Sequence, residues 1–443
     1  MKEEIIELIK EKKLSKLKEY LENINPVDIA GIFEELEYEY MLIVFRLLSK
    51  DTAAEVFSEI GHETQEDLIK SLNDKELKAV MDELYTDDAV DFISEMPANL
   101  VNRILKAIPM SERKIINKFL SYPEESAGSI MTNEFIDLKE DITVKDALEK
   151  IRKEGMSSEC IYICYVLDKT RKLIWLVSIR KLLLADRNAK ISEIMQTNII
   201  KGNTLEDREQ VARRIQKYDF LALPIVDNEE RLVGIVTVDD AMQVLQEENT
   251  EDFSKMDAVK PLEDKYFETS AFSHARNRIV WLIFLMISAI VTGTVITHYE
   301  EAFAVLPILV AFIPMLMGTG GNCGSQASTL IIRGLATEEI KLKDLFKALF
   351  KEIRVALLVG GALATIIGVG ASILYKNVRL GIVLGSSLIC TVLLAKSLGC
   401  LLPMLAKKLK LDPAIMAAPL ITTIVDTCSV LIYFKIATTI LGL

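Results

Sequence analysis

Three rhythms of apolar and polar positions run along the chain. From residue 1 to about 120, apolar side chains recur three and four apart in short runs separated by polar turns. In "DDAVDFISEMP", for example, Pro97 closes the unit. No strand run interrupts this stretch, which predicts short amphipathic helices stacked as an all-α, superhelical domain. From about 126 to 248 the rhythm mixes strands with helices and repeats after about 60 residues. "SIMTNEFI" (129–136) answers "EIMQTNII" (193–200), and "LVSIRKLL" (176–183) answers "IVTVDDAM" (235–242). Each copy reads as a strand, a helix, two strands and a helix, with "DKTRKL" and "DNEERL" as hairpin turns. The third rhythm is continuous hydrophobicity. Five runs, roughly 279–298, 302–332, 355–375, 380–406 and 414–442, are long enough to cross a bilayer, which takes about 20 apolar residues.

Charge follows the same division. Residues 1–270 carry 56 acidic against 37 basic side chains, and residues 271–443 carry 8 against 15. An acidic front argues against nucleic acid and for cations or basic partners. The amphipathic start "MKEEIIELIKEKK" has no signal-peptide core and places the front in the cytosol. Basic residues gather in alternate connections between the spans: Arg333, Lys341, Lys343, Lys347, Lys351 and Arg354 in one, Lys407, Lys408 and Lys410 in another. With these on the cytosolic side, five spans put the C-terminus outside a multi-pass cell membrane protein. Six cysteines without a C-x-x-C pair and only three histidines read as buried thiols rather than a zinc site.

Within "PLITTIVDTCSVLIY" (419–433) the single charge is Asp426. A bare carboxylate in hydrocarbon costs at least about 3 kcal/mol, which marks a functional position. It stands 14 residues past Asp412, so a helix carries it about 21 Å into the membrane. Thr422, Thr423 and Ser429 share its helix face, either as a polar lining or as an interhelical seam. Lys396 in the fourth run is the candidate counter-ion, which would make the pair structural. "PMLMGTGGNCGSQASTLIIRGLA" (314–336) interrupts the second run with glycines, Gly318 among them, and offers Asn322 and Gln326 as amide oxygens. Either the backbone bends or unwinds there to approach an ion, or the small residues pack helices closely. Neutral oxygens beside one deep carboxylate suit a hard, partly hydrated cation such as Mg2+. In the front, Asp87 and Asp91 fall on one helix face, either solvated or awaiting a cation.

The repeat resembles a tandem pair of CBS domains, which bind adenine nucleotides or gate attached channels. The family's ribose-gripping Ser/Thr-x-x-Asp is kept in the second copy as Thr237 and Asp240; the first has Lys181 in place of the aspartate. ATP is therefore a doubtful ligand. The whole chain resembles the MgtE family of magnesium channels and transporters, most specifically in "GTGGNCGSQASTLIIRGLA", "AGSIMT" (127–132), "VGIVTVDDAMQVLQEENTED" and "LDPAIMAAPLITTIVD".

That resemblance implies a helical N domain (1–125), a CBS pair (126–187 and 188–248), a connecting plug helix (249–278) and a five-helix transmembrane domain (279–443). It implies a homodimer, not an enzyme, with one pore lined by Asp426, Asn322 in a pore loop, Thr422, Ala418 and Gly318. It also implies regulatory Mg2+ held by Glu55, Asp87, Asp91, Asp227, Glu229, Asp239, Glu263, Glu268 and Asp412, with Lys260 where an acidic ligand is expected. Bound cytosolic Mg2+ would then close the path to Mg2+ influx. Two other readings stay open. One is a secondary transporter of divalent cations such as Co2+ or Mn2+. The other is a membrane-anchored adenylate sensor without a pore.

Overall fold

Short helices follow one another from Lys2–Lys10 to Met110–Phe119, ten among the described residues, none longer than ten residues. The computed structural model describes residues 1–194, 199–260, 266, 269–299, 307–416 and 418–442. Polar caps set these short lengths. Asn25 accepts from the Val27 amide ahead of Pro26, Ser49 accepts from Thr52, and Asn73 and Glu76 form a reciprocal capping box. Aromatic rings join successive helices through the core: Phe33 meets Phe45, Phe45 meets Phe57, and Phe57 meets Phe92 edge-on at 4.8 Å. The expected helical stack is present.

The repeat is also present. In the first copy β1 (Phe135–Lys139) pairs parallel with β2 (Cys160–Leu167), which pairs antiparallel with β3 (Leu173–Ser178). The second copy repeats that order with β4 (Gly202–Asn203), β5 (Ala222–Val226) and β6 (Leu232–Thr237). Reciprocal backbone bonds of 2.8 Å between Thr132 and Ile235 tie "AGSIMT" into the second copy. Gly128 is required there, because a Cβ would lie 2.5 Å from the Tyr122 ring. Ala127, Met131, Val211 and Leu223 join one apolar core with Leu100, Ile104 and Phe119, so the helical stack and CBS pair form one compact unit, Met1–Gln246.

The second unit is Glu247–Leu443. The helix Val238–Met256 leads into it, so the expected connecting segment is not one separate helix: its beginning continues this helix and its end belongs to the first span. The spans are Ala271–His298, Pro307–Ala336, Leu342–Leu374, Val378–Lys408 and Pro413–Leu441. The third starts well before residue 355, because the basic stretch "LFKALFKEIR" continues the helix with Phe346 and Phe350 exposed.

The second span corrects one expectation. Ile313–Ala336 is an unbroken α-helix through "GTGGNCG". Backbone at membrane depth keeps its helical hydrogen bonds, and Gly320, Gly321 and Gly324 serve close packing instead. A Cβ on Gly320 would sit 2.8 Å from both Thr391 and Val425, and one on Gly324 would sit 2.7 Å from Ile421. Buried side-chain bonds add specificity: Tyr433 Oη donates to Leu309 O at 2.9 Å, Ser328 Oγ donates to Met416 O at 3.0 Å, and the hydroxyls of Thr292 and Thr427 meet at 2.6 Å.

Candidate functional site

The last span opens with a 3-10 turn, Pro413–Met416, and its α-helix begins at Ala418, whose side chain lies outside the described residues. Asp426 is therefore about two turns into that helix, half-buried, with no hydrogen bond or ion pair among the described residues. Lys396 is not its counter-ion. The ammonium lies 3.5 Å from Glu352 of the third span, and the two residues are only 4% and 8% exposed. Asp426 keeps its charge unmatched because the fourth span directs its lysine towards the third.

The threonines near Asp426 satisfy themselves locally, with Thr422 and Thr423 both donating to Pro419 O at 2.9 and 2.8 Å. Ser429 leaves the expected stripe: it is fully buried beside Gly320. Close approaches of Gly324 to Ile421, Gly321 to Thr422 and Gly320 to Val425 set an antiparallel register between the second and last spans. That register brings Asp426 level with the turn containing Gly318 and Gly320. Gly318, Asn322 and Gln326 form an exposed stripe at helical spacing. Asn322 thus lies on a helix face and not in a loop.

The front unit holds a second acidic site. One carboxylate oxygen each from Asp87, Glu159 and Asp240 lie within 4.8 Å of one another. Asp87 comes from the first turn of Thr86–Glu95, Asp240 from the first turn of Val238–Met256, and Glu159 directly precedes β2. Each of the three structural modules therefore supplies one carboxylate. Helix N-termini favour two of these negative charges, but burial dominates. It pushes Asp87 well above the usual carboxylate range, with Glu159 and Asp240 adding repulsion. Burial likewise raises Glu159 to about 8, Asp88 to about 7 and Asp240 to about 6. Asp87 Oδ1 and Glu159 Oε2 are buried without a hydrogen bond. With Asp240, which accepts from Thr237, these make three hard oxygen donors, two of them unsatisfied, a set that fits a divalent cation.

Among the expected ligands, Asp87 is in this cluster. Asp239 is exposed beside it and adds repulsion to Glu159 and Asp240; Asp91 acts in the same way on Asp88. Glu55 is exposed, and its field reaches Tyr85, which also feels Glu159 and Asp87. Asp227 does something else: its Oδ1 accepts from the amides of Glu229 and Arg231 at 2.8 and 2.9 Å, capping the β5–β6 hairpin. Asp168 caps the matching turn of the first copy in the same way. Glu229 pairs with Arg231.

Asp412 accepts from the Ala414 amide and pairs with Lys255 at 2.8 Å, which also holds Glu251 at 2.7 Å. Glu263 and Glu268 lie outside the described residues. Thr237 donates to Asp240, and Ser178 caps the helix carrying Lys181. Sequence reasoning misses Glu159 and Asp88, and reads Asp240 as a nucleotide residue rather than a member of this acidic cluster. Glu159 follows no periodic pattern, and only the fold brings it to Asp87.

Comparison with known proteins bears on the whole chain. Residues 313–436 match the MgtE profile, described as a divalent cation transporter; residues 24–125 match the MgtE intracellular N domain, and 127–188 and 191–247 match the CBS domain. The magnesium transporter MgtE of Bacillus subtilis is 34% identical over 98% of this chain and 96% of its own length. The chain belongs to the MgtE family. A second member, the magnesium transporter MgtE of Thermus thermophilus, is 36% identical over 95% of this chain and 94% of its own. The crystal structure of the cytosolic domain of the Mg2+ channel MgtE in complex with ATP aligns with a TM-score of 0.53 and 35% identity, over 55% of this chain and all of that one. These family members are transporters and channels, not enzymes.

Proposed function

We propose that this chain is a magnesium-selective path for Mg2+ influx, closed by cytosolic Mg2+ collected on its acidic front. The observation that carries the transport reading is Asp426, a membrane-depth carboxylate without a basic partner among the described residues, Lys396 being paired with Glu352. Hydrated Mg2+ supplies the missing charge. The ion gains about 4.6 kcal/mol per 100 mV of inside-negative potential, twice the single-charge value, and no chemical step is required.

Family membership supports a homodimer in which two copies of Asp426 face one shared path, flanked by Thr422, Gly318, Asn322 and Ala418. The exposed Gly318–Asn322–Gln326 stripe suits that arrangement. The basic connections support a cytosolic front and an outward C-terminus. A sensor without a pore fits poorly, since its structural Asp426–Lys396 pair does not form.

The Asp87–Glu159–Asp240 cluster supports the gating reading. Without a cation its carboxylates repel across three modules; with Mg2+ they converge and the unit tightens. Glu55, Asp91 and Asp239 extend that negative field, and family membership supports a regulatory part for Asp412, Glu263 and Glu268. We place a nucleotide at Thr237 and Asp240 second to the cation, because a triphosphate would meet the same negative field.

The test is uptake into vesicles containing the reconstituted protein, with free Mg2+ set on the face bearing the front unit. Closure at high Mg2+ in the parent, lost in Glu159→Gln and Asp87→Asn, supports the account. Variants that close at the parent's concentration would refute the gating assignment.

A further inference from the structure

At the membrane boundary of the second unit, a cavity of about 420 Å3 lies where the connection between the second and third spans meets the end of the fourth. Its apolar wall is Leu335, Ile340 and Leu342, and its charged residues are Lys341, Lys343, Lys407 and Glu338. Three lysines and one glutamate line it, and the volume falls within the range of about 300–1,000 Å3 usual for small-ligand sites.

The cavity is built rather than incidental. The Ile340 amide bonds back to Gly334 O at 2.8 Å, and Lys341 N bonds to Asp344 Oδ2 at 3.0 Å to open the next turn. Lys407 Nζ donates to Leu335 O at 3.0 Å, which fixes its ammonium while leaving donors for a ligand. Lys341 and Lys343 have no carboxylate within ion-pair distance among the described residues.

In the first turns of the third span, which follow the cavity's loop in sequence, Phe346 and Phe350 stand one turn apart at 80% and 62% exposure, and the Arg354 guanidinium lies 5.1 Å from the Phe350 ring. A small soluble anion would use the lysines but gain nothing from the apolar wall or these rings. A phospholipid uses all three, with its phosphate on the ammonium groups and its chains along the phenylalanines. We propose that this cavity seats the headgroup of an anionic bilayer phospholipid, clamping the loop between spans two and three to the end of span four.

The test uses the purified full-length protein and native mass spectrometry of retained lipid, comparing phosphatidylglycerol with phosphatidylcholine. Inorganic phosphate and glycerol 3-phosphate serve as free-anion competitors. The parent should retain phosphatidylglycerol preferentially, and neither competitor should displace it. Lys341→Gln/Lys343→Gln removes two charges without touching the Lys407–Leu335 bond, and should lower that preference about 25-fold, at about fivefold per lysine near the surface. Lys347→Gln/Lys351→Gln removes equal charge one to two turns away from side chains that do not line the cavity, and should lower the preference clearly less than Lys341→Gln/Lys343→Gln does. Equal retention of the two lipids, equal loss in both double variants, or displacement by glycerol 3-phosphate would each overturn the proposal.

Discussion

Lys396 and Glu352 form an ion pair at 3.5 Å in the membrane part, both almost fully buried, and Asp426 has no basic partner among the described residues. Removing one partner strands the other charge. Lys396→Met should destabilise the protein by about 3–5 kcal/mol, while Lys396→Met with Glu352→Leu should regain most of that. Thermal unfolding of the detergent-solubilised variants checks this. A double variant no more stable than the single one would show that the pair does not act as a unit.

The front unit should respond to pH through its acidic cluster. Burial raises Asp87, Asp88, Asp240 and Glu159, the last to about 8, so the folded state binds more protons than the unfolded one above the ordinary carboxylate value of about 4. The contribution of this cluster to stability without divalent cations is then greatest at low pH and falls as pH rises from about 4 to about 8. Added Mg2+ should raise the unfolding temperature of the full chain strongly at about pH 8.5 and little at about pH 5.5, releasing protons as it binds. Equal stabilisation at both values would contradict the assignment.

Much of this arrangement is legible in the sequence, for identifiable reasons. Helical periodicity, the repeat and the long apolar runs mark the domains because each is a local pattern. Glu352 is hidden because Lys347, Lys351 and Arg354 make its surroundings resemble a loop, whereas the helix runs from Leu345 to Leu374. "GTGGNCG" reads as a break on glycine content alone, but the membrane demands a satisfied backbone and neighbouring spans occupy the missing side-chain space. Asp227 and Asp87 look alike as acidic residues. Only the fold shows one closing a hairpin and the other facing Glu159 and Asp240.

Gly320 of the second span and Gly361 of the third differ in what surrounds them. Gly320→Ala improves helix propensity by about 1 kcal/mol, but its Cβ meets Thr391 and Val425 at 2.8 Å, and such overpacking costs about 1–3 kcal/mol. A Cβ added at Gly361 would have nothing within 4 Å, so Gly361→Ala should be neutral or stabilising. Thermal unfolding of the two variants should separate them in that order, and the reverse order would refute close packing as the reason for Gly320.

The central claim is that Asp426 attracts the ion, and Mg2+ uptake by reconstituted vesicles under an inside-negative potential tests it most directly. Asp426→Asn preserves side-chain volume and removes the charge. The parent should load Mg2+, and Asp426→Asn should retain less than about a tenth of that rate, since a tenfold change corresponds to only about 1.4 kcal/mol. An Asp426→Asn protein that folds and transports at the parent's rate would contradict the account.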